Sequence, residues 1–99
     1  METININTNL IIRGDIICGE NGILEVTGDI TWGLRDCPSS EQEYLDKMAK
    51  MAGIHIEGDY DISDKEVIVA GNVFIYGYPI YDEKTLKGHM VAGAQYATV

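Results

Sequence analysis

The chain has 99 residues, 45% of them hydrophobic, and its 16 acidic and 7 basic residues give a net charge of −9 at pH 7. That length supports one small core, so a single domain over residues 1–99 is expected. The charge disfavours nucleic acid and anionic membranes as direct partners. With no apolar run of about 18 residues and no signal peptide in Met-Glu-Thr-Ile-Asn, a cytoplasmic protein is expected.

Residues 3–7 alternate weakly and read as a short edge strand. From Leu10 the alternation is clean: Leu10, Ile12, Gly14, Ile16 and Cys18 share one face. Gly-Glu-Asn-Gly at 19–22 is turn-like. Leu24, Val26, Gly28, Ile30 and Trp32 then repeat the same face. Pro38, Ser39 and Ser40, with Glu43 three residues after Ser40, form a capping box. It opens a helix expected over about 40–52. Tyr44, Leu45, Met48, Met51 and Ala52 lie on one side of it, and Gly53 is the expected C-cap. Ile54, Ile56, Gly58, Tyr60 and Ile62 resume the strand pattern, Ser-Asp-Lys-Glu at 63–66 turns, and Val67, Val69, Gly71, Val73 and Ile75 complete it. Tyr76, Tyr78 and Tyr81 surround Gly77 and Pro79, and residues 88–99 form an uncharged apolar tail able to make a last strand.

One phrase recurs through this pattern: apolar, any, apolar, any, Gly, Asp or Asn, apolar. It stands at 10–16, 24–30, 54–60 and 67–73. Self-similarity of this kind is first a fold signal. The expected fold is mainly β: a short parallel β-solenoid of about four Gly-Asp coils with one inserted helix. Stacked coils would set Asp15, Asp29, Asp59 and Asn72 in line. The alternative is an antiparallel β-meander with the same helix, whose hairpins would oppose Gly14 to Gly28, Gly58 to Gly71 and Arg13 to Asp29.

Leu-Glu-Val-Thr-Gly-Asp-Ile at 24–30 and Val-Ile-Val-Ala-Gly-Asn-Val at 67–73 resemble the coil repeat of bactofilins and related polymer-forming β-helices. The resemblance implies a β-helical fold and self-assembly. The chain departs from that family in having few coils and a helical insert.

Candidate chemistry is sparse. Cys18 in an alternating strand reads as a buried small residue, whereas Cys37 stands at the helix entrance, where a thiol can be activated. His55 and His89 are far apart in sequence. Asp59 and Asp61 share one strand face about 7 Å apart, but the EF-hand spacing fails for want of the Gly and the final Glu. There is no phosphate loop, nucleophile elbow or paired-cysteine metal motif, so no metal, cofactor or catalytic residue is assigned.

The functional expectation is a non-catalytic acidic interaction module. Its most concrete form is a small inhibitor or decoy, of phage or mobile-element type, occupying the basic nucleic-acid-binding surface of a partner protein. The candidate contact residues are Glu57, Asp59, Asp61, Asp64 and Glu66, with Trp32, Tyr44, Tyr76 and Tyr78 as aromatic anchors. One alternative is a bactofilin-like scaffold, a homo-oligomer joined through residues 3–7 and 88–99. Another is a small enzyme using Cys37 and His89 or the Asp59–Asp61 pair.

Overall fold

The computed structural model describes residues 2–18, 21–33, 41–77 and 95–96, the last two and Trp32 by their backbone. The chain is mainly β. Its strands are β1 (Glu2–Ile6), β2 (Leu10–Ile12), β3 (Ile16–Ile17), β4 (Ile23–Val26) and β5 (Asp29–Trp32), then, after helix α1 (Glu41–Ala49), β6 (Ile54–Ile56), β7 (Tyr60–Asp61), β8 (Lys65–Val69), β9 (Val73–Ile75) and β10 (Gln95–Tyr96).

These strands make three sheets, ordered β1-β8-β4, β10-β5-β9-β2-β6 and β3-β7. Every ladder is parallel. The chain visits the sheets in a fixed cycle: β1, β2 and β3 lie in the three-, five- and two-stranded sheets, and β4 and β5 return to the first two. After the helix, β6 and β7 enter the five- and two-stranded sheets, and β8 and β9 again occupy the first two.

The antiparallel alternative therefore fails. From β3 the chain goes on to β4, and from β7 it passes through Ser63 and Asp64 to β8, each time in the next sheet, and no described strand folds back on the one before it. Arg13 faces Glu57 rather than Asp29, with 3.5 Å between guanidinium and carboxylate.

The stacking of the recurring phrase also differs from expectation. Copies 10–16 and 54–60 lie side by side, with Leu10 against Ile54 and Ile16 against Tyr60. Copies 24–30 and 67–73 form a second pair, with Leu24 against Val67 and Ile30 against Val73. Asp15 thus neighbours Asp59 and Asp29 neighbours Asn72, at two separate corners rather than in one line. The phrase marks a corner, and the chain turns two such corners on its way through the sheets.

Parallel strands buried on their inner face need unbroken apolar rows. Leu10, Val73 and Ile30 form one row, Ile6, Val69 and Val26 another, and all are buried. Cys18 and Ile62 join the same core. The glycines keep the corners close. A Cβ on Gly14 would stand 2.5 Å from the Gly58 carbonyl carbon, and one on Gly28 would run into the Asn72 side chain. Gly58 serves differently: it has open space around it but φ of 88°, a conformation that disfavours other residues.

A second buried cluster lies outside the five-stranded sheet, where α1 packs. Tyr44 and Met48 meet Ile11, with Met51, Phe74 and Tyr76 around them. The Tyr44 ring sits where a side chain on Gly33 would be. Helix α1 carries Glu41 and Glu43 in its first turn and Lys47 in its last, which suits the helix dipole. It ends at Ala49, earlier than expected, and Gly53 is not its cap: Gly53 has φ of 147° just before β6, close against the Asn9 carbonyl. Ser39, Ser40 and most of the tail strand at 88–99 lie outside the described residues. The part that is described, β10, pairs with β5.

Candidate protein-interaction surface

Among the acidic residues of 57–66, Asp59 belongs to the recurring phrase, and its side chain, like that of Asn72, bridges neighbouring strands. Asp59 Oδ1 accepts a hydrogen bond from the Asp15 amide at 2.8 Å. At the other corner Asn9 Oδ1 accepts from the Asn72 amide, and Asn72 Oδ1 accepts from the Asp29 amide, each at 2.9 Å. Main-chain N–H groups that the turn takes out of the ladder thus find partners. Asn9 extends this relay, and it shows that Ile-Asn-Ile-Asn-Thr-Asn-Leu at 4–10 is a further copy of the phrase with Thr8 in the glycine position. Reading residues 3–7 as a weak edge strand missed this. The signal was present in the spacing of Ile4, Ile6, Asn9 and Leu10.

Five candidate carboxylates follow one another along the chain from β6 to β8. Glu57, exposed at the end of β6, faces the partly exposed Arg13, a pair of little energetic weight in solvent. Asp59 is exposed next to Asp15. Asp61, on β7, accepts the Ser63 amide at 2.9 Å. Hydrogen bonds from the Ser63 backbone and side chain, with a smaller contribution from Lys65, hold its carboxyl below the usual carboxylate range. Asp64 takes φ of 61° in the turn to β8, a conformation Asp tolerates, and its carboxylate accepts from the Asn21 amide group at 3.1 Å. Glu66, half-buried on β8, accepts from the Thr3 hydroxyl at 3.2 Å. Neighbouring strands are about 4.8 Å apart, so Asp15 and Asp59 bring like charges close. At about 5 Å in water their repulsion is on the order of 1 kcal/mol, a cost that a cationic surface relieves.

Of the described aromatic candidates, Tyr44, on α1, is buried, and Tyr76 is half-buried in the same cluster. The side chain of Trp32 and all of Tyr78 lie outside the described residues. So do Cys37 and His89, which leaves the thiol–imidazole arrangement without a described geometry. His55 is exposed on β6, its Nε2 2.7 Å from the Met51 carbonyl oxygen. Asp59 and Asp61 are both engaged with backbone amides. Cys18 is buried, and burial, with a smaller push from the charge of Asp61, raises its thiol to about 12, which removes it as a nucleophile at neutral pH. Among the described residues no group of three or more His, Cys, Asp or Glu side chains is placed to hold a metal ion. No described helix is long and apolar enough to cross a membrane.

No protein-family model matches the chain, and no curated protein or solved structure matches it significantly.

Proposed function

We propose that the chain is a short parallel β-solenoid acting as a non-catalytic acidic interaction module, and that it occupies the basic, nucleic-acid-binding surface of a partner protein. The observation that carries this reading is the fixed run of carboxylates. Glu57, Asp59, Asp61 and Asp64 are exposed on consecutive short elements, Asp15 lies one strand away from Asp59, and each of Asp59, Asp61 and Asp64 is oriented by a hydrogen bond to a neighbour. Carboxylates held in place at strand spacing lose little freedom when they meet lysines or arginines, so the association is electrostatic and pre-organised.

The test is capture of partners from the native host by the tagged full chain, with identification by mass spectrometry. The same capture is repeated with Glu57→Gln, Asp59→Asn, Asp61→Asn and Asp64→Asn combined. A basic protein is expected, retained at about 50 mM salt and released near 500 mM, where screening shortens to a few ångström. It should be absent with the neutralised variant. Equal retention at both salt concentrations removes the reading.

A second reading is a self-assembling scaffold. Its support is that, among the described residues, β1 and β6 each pair on one side only and stand at the end of their sheets, with Ile54, on β6, 43% exposed. Edges of this kind can receive another chain. Light scattering across a concentration series distinguishes it: growth in mass supports assembly, and a constant monomer mass removes it.

A further inference from the structure

Each described ladder joins the first part of the chain, residues 2–32, to the part that follows the helix, residues 54–96. Among the described residues no ladder joins two strands of the same half. In the three-stranded sheet β8 separates β1 from β4, and in the five-stranded sheet β9 separates β2 from β5 while β2 separates β6 from β9. Successive strands of one half are therefore about 9.6 Å apart, two strand spacings, and cannot bond each other. Each half is a spaced coil whose gaps are filled by the other.

The consequence concerns connectivity. The main-chain hydrogen bonds and the apolar rows depend on the two halves meeting, and not on their belonging to one molecule. Helix α1 is tied to both halves, to Ile11 and the Asn9 side chain on one and to Phe74 and Tyr76 on the other. It can therefore dock on an assembled body whichever chain supplies each part.

We propose that a second copy of this chain is a partner: residues 2–33 of one copy interleave with residues 41–77 of another to give an exchanged dimer. Its two bodies repeat the ladders of the single chain, and chain concentration during folding sets its yield. Exchange of identical elements is a low-cost route to dimers because every contact already exists within the monomer. This differs from end-to-end association, which needs a new contact between folded surfaces.

The test uses the full chain in two tagged forms. Both are unfolded in guanidinium, mixed, and refolded together at about 1 mM and about 1 μM. A parallel sample mixes the two forms after each has folded. Exchange predicts that capture of one tag brings down the other after joint refolding at high concentration, about half of the dimers being mixed. It predicts no such capture from the pre-folded mixture and little from the dilute sample. Absence of co-capture after joint refolding overturns the proposal, and equal co-capture from the pre-folded mixture assigns the contact to folded surfaces and overturns it too. A second experiment pairs Val26→Asp with Val69→Asp, each placing a charge in the core of a different half. Each variant alone should lose its β-sheet circular dichroism. Refolded together, the intact halves should restore about half of the wild-type signal. A mixture that equals the sum of its unfolded parts counts against the proposal.

Discussion

Replacing Ile11 with Ala measures what α1 contributes. Ile11 points outward from β2, away from the core rows, yet it is fully buried because Tyr44 and Met48 cover it. Ile17 also points outward, from β3, and is 39% exposed. The two residues share chemistry and strand environment and differ in cover. Truncation removes three carbons, about 2.4 kcal/mol of transfer free energy at about 0.8 kcal/mol per methylene, and a residual cavity raises the loss to about 3 kcal/mol. At about 4 °C or more per kcal/mol for a chain of this size, the melting temperature should fall by about 12 °C or more. Ile17→Ala should cost about 1 kcal/mol or less. The assay is thermal and urea unfolding followed by circular dichroism, repeated for Met48→Ala and for the double variant. Contact between the two side chains predicts a coupling of about 1 kcal/mol. Equal shifts for Ile11→Ala and Ile17→Ala, with no coupling to Met48, would show that the helix does not cover this sheet.

Other substitutions test the corners. Gly28→Ala brings a Cβ into the Asn72 side chain and the Gly71 carbonyl and should cost about 1–3 kcal/mol by overpacking. Gly58→Ala meets no neighbour and should cost about 1–2 kcal/mol from its left-handed backbone alone; denaturant midpoints compare the two. Asn72→Ala removes the acceptor of the Asp29 amide and should cost about 1 kcal/mol, with faster hydrogen exchange at Asp29 as its local sign. Cys18 should resist thiol reagents at pH 8 in the folded protein and react on unfolding. Because its thiol rises from 9.0 to about 12 on folding, the unfolded chain gives up that proton first. Its contribution is intact below about pH 9 and is lost as pH climbs towards 12, so wild type should lose stability more steeply over that range than Cys18→Ala.

Much of the strand content was legible because a period of two is hard to mistake when Leu10, Ile12, Leu24, Val26, Val67 and Val69 all carry it. Pairing was not legible. Parallel partners such as Leu10 and Val73 are joined by no short turn, so nothing local in the sequence names them. Cover on the outer side was signalled by apolar residues at outward positions, Ile11, Phe74 and Tyr76, beside a helix with Tyr44 and Met48 on one face. Taken together they place α1, whereas a search for the core row alone passes over them. The acidic run 57–66 was evident, but its orientation was not. That Asp59 and Asp64 hold groups from Asp15 and Asn21 depends on strands more than 40 residues apart in sequence.

The weave also restricts how such a chain can change length. Duplicating one phrase in tandem would insert a strand with no gap waiting for it, since each existing gap is already filled from the opposite half. A longer version keeps the alternation only by adding strands at the sheet edges, drawn in turn from the two sides of the helix. Growth therefore falls at two separated places in the sequence, whereas a simple tandem repeat lengthens at one.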